Sequence, residues 1–280
     1  MLQLISDKDQ TLKQFTENNY AQGSFFWNYL LKNKEIRVNG VRVGKDVRIQ
    51  SGDVICYYLS KKQEEKAAFY TVYEDENVLI VDKESGVNSE AVFAALQRRY
   101  AAEGRACFFI HRLDRNTKGL LAFALSQESE TTLLQAFKNR NVEKTYHALC
   151  FGDFAKQREV LTGYLKKDAE KSLSRVYDQP QKGAEQIITE YAVEERFLDG
   201  TTLVKVTLHT GKTHQIRAHL AHIGCPIVGD MKYGLSEENK RRNLSRQCLV
   251  AKCLTFQAEG FLGYLNDCRF VSRFEAKTEE

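Results

Sequence analysis

Hydrophobic and polar residues alternate in short blocks along most of this 280-residue chain, and the blocks predict strands more often than helices. Leu12 to Lys34 reads as helical, with Phe25, Phe26, Trp27 and Tyr29 closely spaced. Glu35 to Val38 and Val41 to Val43 read as two short strands. They meet at Asn39-Gly40, a dipeptide that suits a type I′ hairpin turn because both central residues need positive φ. Gly52-Asp53 marks another turn, and Val54 to Leu59 reads as another strand. The polar run Ser60-Lys-Lys-Gln-Glu-Glu-Lys66 then reads as a linker. These signals predict a small module over residues 1–62 and a main domain over residues 63–280.

In the main domain, Asn77 to Asp82 reads as a strand and Glu84-Ser-Gly86 as a turn. Ser89 is placed as the N-cap of a helix reaching Tyr100, with Glu90 in its first turn. Two apolar runs, Cys107 to Ile110 and Leu120 to Leu125, flank a polar loop. Ser126 is placed to cap a second helix through about Asn139, with Glu128 and Glu130 suiting its positive end. Lys144 to Phe151 alternates as a strand. Glu185 to Arg196 and Thr202 to His209 read as a long antiparallel pair across Leu198-Asp-Gly200. Thr213 to Ile223 reads as a short helix closed by Gly224 and Pro226, and Gln247 to Phe256 as a late strand. Strands outnumber helices and hairpin connections dominate. The expected class is α+β: a largely antiparallel mixed sheet flanked by helices, plus a small N-terminal α+β module.

Composition adds limits. Charged residues are 28% and hydrophobic ones 42%, an ordinary globular balance. No apolar run reaches membrane-spanning length, and the N-terminus lacks the pattern of a signal peptide. The seven cysteines are scattered with no Cys-x-x-Cys pair, which predicts reduced, mostly buried thiols in a cytoplasmic protein. Net charge is only +4, so any nucleic-acid contact depends on local patches. Lys240-Arg-Arg-Asn-Leu-Ser-Arg246 is such a patch, though a solvated charged loop explains it equally well.

The densest chemical signal is Phe109-Ile-His-Arg-Leu-Asp-Arg-Asn-Thr-Lys-Gly119, which sets Asp114 between Arg112 and Arg115 inside an apolar stretch. Charges in such a place cost folding energy unless they find partners. Taken alone, an Asp beside Arg is most simply a structural ion pair. Two further segments change the weighting: Glu143-Lys-Thr-Tyr-His-Ala148, and Gly211-Lys-Thr-His-Gln-Ile-Arg-Ala-His-Leu220 followed by Gly224-Cys-Pro-Ile-Val-Gly-Asp230 and Tyr233-Gly234.

With these three motifs in this order, the chain resembles the pseudouridine synthases of the RluA type, from roughly Tyr73 to Phe256. The first module is similar to the small RNA-binding domain of the ribosomal-protein S-four type, on Ile36-Arg-Val-Asn-Gly-Val-Arg-Val43 and Ser51-Gly-Asp-Val-Ile55. The resemblance implies the pseudouridine synthase fold. It also implies isomerisation of uridine in ribosomal or transfer RNA by base extrusion, glycosidic cleavage and reattachment through carbon. Asp114 would be the catalytic carboxylate, Arg217 its charge partner, Tyr146 the contact to the target base, and Arg112 the residue that helps open the RNA. His111, Lys144, Lys212 and Thr213 are further expected RNA-contacting or positioning residues. The expected partner is RNA, with no cofactor, no metal and no membrane, and the expected state is a monomer.

Residue chemistry is consistent with these roles. The isomerisation involves no net oxidation or hydrolysis. One carboxylate near the sugar can act covalently or as a base. It must stay ionised in a site that excludes water, and an adjacent Arg lowers its pKa. On the predicted helix, Arg217 borders the apolar face of Ile216, Leu220 and Ile223, so its stem can be buried with its head turned inward. A guanidinium such as Arg112 and a ring such as Tyr146 suit an everted base, although a strand tyrosine by itself reads as core. The turn Thr210 to Thr213 offers backbone donors and Lys212 to a phosphate. His214, His219 and His222 lack a cysteine or carboxylate at a recognised ligand spacing. The chain also departs from the family: Thr117-Lys118-Gly119 replaces Thr-Ser-Gly, Lys83-Glu-Ser-Gly86 lacks the usual proline, and Phe25 to Trp27 are aromatic where relatives are often basic. The rival readings are a non-catalytic RNA-binding or ribosome-assembly factor and a nucleoside-cleaving hydrolase.

Overall fold

The short alternating blocks near the N-terminus fold around a core of their own. The computed structural model describes residues 1–168 and 173–278. The chain packs as two units, Met1–Arg115 with Leu121–Gln127, and Asn116–Leu120 with Glu128–Glu280. The first begins with β1 (Leu2–Ile5), β2 (Gln10–Thr11), α1 (Leu12–Asn19), α2 (Ala21–Phe25), α3 (Trp27–Lys32), β3 (Ile36–Val38), β4 (Val41–Val43), β5 (Arg48–Ile49) and β6 (Val54–Tyr57). Strands β1, β6, β3 and β4 form an antiparallel sheet in that order, and β2 pairs with β5. Leu12, Phe15, Leu30, Ile36, Ile49, Ile55 and Tyr57 form the buried cluster beneath it. Asn39 (φ 50°) and Gly40 (φ 83°) take the two left-handed positions that a type I′ turn requires.

The long helix expected from Leu12 to Lys34 is three short ones. Tyr20 leaves helical geometry (φ −145°, ψ 99°) and its ring packs 5.0 Å from that of Tyr57. The break lets close-spaced aromatics reach a core that a straight helix would have turned them away from. The expected linker contains one turn of helix, α4 (Lys61–Glu64), closed by a capping box between Ser60 and Gln63.

Next come β7 (Phe69–Glu74), β8 (Val78–Lys83), α5 (Ser89–Ala102), β9 (Phe108–Phe109) and β10 (Lys118–Ala124). Strands β7 and β8 pair antiparallel, and every residue of β8 is buried. The end of β10 pairs with β9, while its first residues, Lys118 and Gly119, pair in parallel with Val250 and Ala251 of the second unit's last long strand. The N-cap of α5 is Asn88; Ser89 is the first helical residue.

The second unit holds α6 (Gln127–Lys138), β11 (Val142–Phe151), β12 (Arg158–Asp168), β13 (Leu173–Tyr177), β14 (Glu185–Arg196), β15 (Thr201–Leu208), α7 (Gln215–His222), α8 (Ser236–Arg241), β16 (Leu249–Phe256), a 3-10 turn over Gly260–Asp267, and β17 (Arg269–Val271). Its sheet runs β13-β12-β14-β15-β11-β16, with β17 on β16, and these pairs are all antiparallel. The class is therefore α+β with a large mixed sheet, as expected. The strands β12, β13 and β17 and helix α8 were not legible in the sequence. All seven cysteines are free thiols, and Cys107, Cys150, Cys225, Cys248 and Cys253 are buried. Among the described residues no helix is long and apolar enough to cross a membrane.

Candidate active site

Residues between β9 and β10 take no regular structure, yet the loop around Asp114 is anchored on both sides. Ser89, at the start of α5, uses one hydroxyl twice: it donates to the Leu113 carbonyl (3.1 Å) and accepts from the Leu113 amide (2.9 Å). On the other side, the Arg115 carbonyl accepts from the Gly86 amide (2.9 Å) and from Lys83 Nζ (3.1 Å). Lys83 is fully buried and donates also to the carbonyls of Glu84 (2.8 Å) and Val87 (2.9 Å), so all three ammonium hydrogens have acceptors. Burial drives its pKa down to about 7, opposed chiefly by the charge of Asp114. The Arg115 side chain donates to the Gly86 carbonyl and pairs with Glu17.

His111 Nε2 accepts from the Ala122 amide (3.0 Å), which leaves the ring proton on Nδ1 in the neutral form. Arg112 lies on the surface, 3.2 Å from Glu90. Asp114 itself is half-buried. The loop thus fixes the backbone on either side of the carboxylate and leaves a long exposed cation next to it.

In the second unit, Tyr146 sits on β11 and is buried. It lies opposite Val206 on β15 and Ala251 on β16, where the β11–β16 register shifts between Thr145 and Tyr146. Such a bulge re-aims side chains locally. Lys144 is half-buried with Nζ 5.6 Å from the Phe137 ring centroid. Burial, and then the charge of Arg140, lower its pKa.

Arg217 on α7 is buried, as its position beside the apolar face implied. Its guanidinium grips Asp230 with two parallel bonds, Nε to Oδ2 at 2.7 Å and Nη2 to Oδ1 at 3.0 Å. Asp230 is buried too, and its Oδ1 also accepts the amides of Lys232 and Tyr233. Burial would raise the Asp230 carboxyl; the bonds and charge of Arg217, aided by those two amides, outweigh it and hold the group below its ordinary value. The guanidinium lies 5.0 Å from the Tyr233 ring centroid. The Tyr233 hydroxyl accepts from the Ser174 amide (2.7 Å) and bonds with His214 Nδ1 (2.8 Å). Asp230 and Tyr233 belong to the third sequence motif, but nothing in its spacing assigned them to Arg217.

Lys212 pairs with Glu185, and its amide donates to Gln215 Oε1 (3.1 Å). The exposed Thr213 offers its carbonyl to Ser174 Oγ (2.9 Å). Lys144 and Lys212 line one cavity of about 800 Å³; Tyr146 and Arg217 do not. The other two histidines of this segment are engaged, His219 with Thr189 Oγ1 (2.9 Å) and His222 with Asp178 (2.8 Å). Burial pushes His219 down to about 4. Among the described residues no three His, Cys, Asp or Glu side chains converge as metal ligands would.

Comparison with known proteins places these motifs. The family model described as RNA pseudouridylate synthase matches residues 77–222, which include Asp114, Tyr146 and Arg217. Ribosomal large subunit pseudouridine synthase C of Rickettsia felis is 32% identical over 74% of this chain and 75% of its own length. The protein of the same name from Haemophilus influenzae is 30% identical over 81% of this chain and 77% of its own. Among solved structures, human RNA pseudouridylate synthase domain containing 1 aligns with a TM-score of 0.59 at 25% identity, covering 72% of this chain and 88% of that one. A carboxylate loop clamped on both sides, a strand tyrosine and a buried arginine thus occur in a chain that belongs to the RluA-type RNA pseudouridine synthases.

Proposed function

We propose that this pseudouridine synthase acts on ribosomal RNA of the large subunit, with Asp114 as the reacting carboxylate. The names of its relatives support the RNA class. The observation that carries the role of Asp114 is the clamp on its two neighbours, Leu113 by Ser89 and Arg115 by Lys83 and Gly86. A reacting group gains most when its position is fixed before substrate arrives. In the reaction the C1′–N1 bond of uridine breaks, a C1′–C5 bond forms, and the proton lost from C5 is balanced by one gained at N1. Asp114 serves at the sugar, by attack on the anomeric carbon or by removal of a neighbouring proton. Arg217 is its charge partner in the motif, held in orientation by Asp230, and Tyr146 contacts the base. Arg112 aids extrusion, consistent with its exposure, and His111 positions the loop from below. Lys144, Lys212 and Thr213 contact RNA. Residues 1–62 form an RNA-binding module, supported by Arg37 and Arg42 standing opposite each other on its hairpin. The enzyme acts in the cytoplasm as a monomer, without metal or cofactor.

The test compares the wild type with Asp114→Asn on large-subunit ribosomal RNA transcripts, read by pseudouridine-specific chemical mapping. The wild type should convert discrete uridines, and the Asn variant should lose more than about 10³-fold in rate while still binding RNA. An active Asn variant overturns the catalytic role. Wild-type activity confined to transfer RNA overturns the target class, and release of free uracil would make the enzyme a hydrolase.

A further inference from the structure

The cavity of the second unit reaches from Lys144 and Leu208 to the sheet face opposite Tyr146. Lys205 and Thr207 line it and flank Val206, the register partner of Tyr146. Successive side chains of a strand point to opposite faces, so Lys205 and Thr207 face away from the Tyr146 side. Helix α7 belongs to the Tyr146 side. Its Gln215 and His219 bond to Thr189 Oγ1, and Thr189 is the register partner of Leu208, two residues on from Val206.

The charges lining this groove do not balance. Arg158 and His209 share Glu190, at 2.7 Å and 3.0 Å, and Lys212 has Glu185. That leaves Lys138, Arg140, Lys144 and Lys205, none of which makes an ion pair among the described residues. The remaining lining carboxylate, Glu143, is exposed and accepts a bond from Thr145 (3.4 Å). Several cations elsewhere do find carboxylates: Arg99 and Arg105 share Glu74, and Arg242 reaches both Glu238 and Asp199. Like charges gathered on one half-enclosed wall repel unless an anion enters. Lys144 registers this, its proton affinity lowered by burial and then by Arg140.

Helix α6 ends with the Asn141 amide donating to the Ala136 carbonyl at 2.8 Å, and Arg140 takes φ +63° in that closure. This is the left-handed position that normally goes to glycine. A long cationic side chain is kept there against the backbone's preference.

We propose that this groove is a second RNA-binding surface, a phosphate channel that leads from Lys144 onto the sheet face opposite Tyr146, in which Lys138, Arg140 and Lys205 hold the backbone of an RNA segment remote from the target uridine. The proposal rests on the RNA-modifying activity and is indifferent to which RNA is the target. The experiment is equilibrium binding of the full chain, in the Asp114→Asn background, to large-subunit ribosomal RNA transcripts, total transfer RNA and polyuridylate over a salt series. Neutralising Lys138, Arg140 and Lys205 together as Gln should weaken binding by at least tenfold. It should also flatten the slope of log affinity against log salt by about 2 to 3, since each lost phosphate contact removes about 0.7–0.9. Single Lys138→Gln and Lys205→Gln variants should each remove about one such contact, which covers failure of the triple variant to fold. Arg140→Gly is the sharpest arm: it should raise the thermal midpoint, because glycine suits φ +63°, yet still weaken RNA binding. A raised midpoint with unchanged affinity and salt slope on all three RNAs would overturn the proposal. So would displacement of bound polyglutamate with an unchanged RNA slope, which would reassign the groove to an acidic protein. Preference for transfer RNA with the slope reduced would instead refute only the proposed target.

Discussion

Removing the Asp230 carboxylate would strand a buried guanidinium. The pair Arg217–Asp230 is bidentate and both side chains are almost inaccessible, so Asp230→Ala should cost about 3–5 kcal/mol in urea unfolding. Turnover should fall further than stability accounts for, because Arg217 would lose the orientation that its proposed role requires. An unchanged turnover in Asp230→Ala would show that Asp230 does not position Arg217. Lys83 yields a pH prediction with a definite sign. Its folded pKa is about 7 against an ordinary 10.5. Between those values the unfolded chain holds a proton that the folded chain has released, so stability should rise with pH across that window and stay flat below it. Urea midpoints from pH 6 to 10 should show this rise in the wild type and lose it in Lys83→Met; equal pH profiles for the two would exclude Lys83 as its source. Asp114, Tyr146 and Arg217 stood out in the sequence as candidates because each stands in a contiguous motif. The partners Asp230 and Lys83 did not, for a physical reason. A lysine after an apolar strand reads as a surface residue, and only the three carbonyls brought around its ammonium by the turn Glu84-Ser-Gly86 and by Arg115 make its burial tolerable.

Elements with one buried face or a committed turn residue were read well, and those without were missed. The hairpin at Asn39-Gly40 follows from dihedral preference alone, and β14 with β15 from alternation across a turn. Strands β12 and β13 alternate too weakly: Arg158, Thr162, Lys166 and Lys167 are exposed, and Val160 is 55% exposed, so hydrophobic pattern carries little information there. The helix break at Tyr20 was hidden for the opposite reason, since every residue around it tolerates helix and the tertiary contact of Tyr20 with Tyr57 decides. Gly119 marks where a strand is most sensitive. It has φ +114°, and a Cβ there would stand 2.3 Å from the Ala251 carbonyl oxygen, across the parallel pair of β10 with β16. Gly119→Ala should therefore either fail to fold or lose more than about 3 kcal/mol by chemical unfolding, combining an unfavourable backbone with a clash against main chain. A variant with wild-type stability would mean that β10 and β16 do not approach this closely.

At the scale of the molecule, the N-terminal module is bound to the Asp114 loop rather than merely joined to it by a tether. Arg115, next to Asp114, pairs with Glu17 on α1, and Asn88, the N-cap of α5, bonds to Asn18 (3.0 Å). Arg98 of α5 donates to the Asn19 carbonyl (3.2 Å). All these groups belong to the same unit. A module that served only to collect RNA would change affinity when removed and leave the bound rate intact. A module that also braces Arg115 must change the rate at saturating RNA. Deletion of residues 1–62 should thus raise KM and lower kcat together. Glu17→Gln, which keeps the module and its surface, should lower kcat alone, by about the 1.5–3 kcal/mol of a hydrogen bond to a charged group or less, given the partial exposure of the pair. Single-turnover rates at saturating RNA separate the two effects. Full kcat in both variants would mean that the loop holds its shape through Ser89, Lys83 and Gly86 alone, and that α1 contributes nothing to the chemistry.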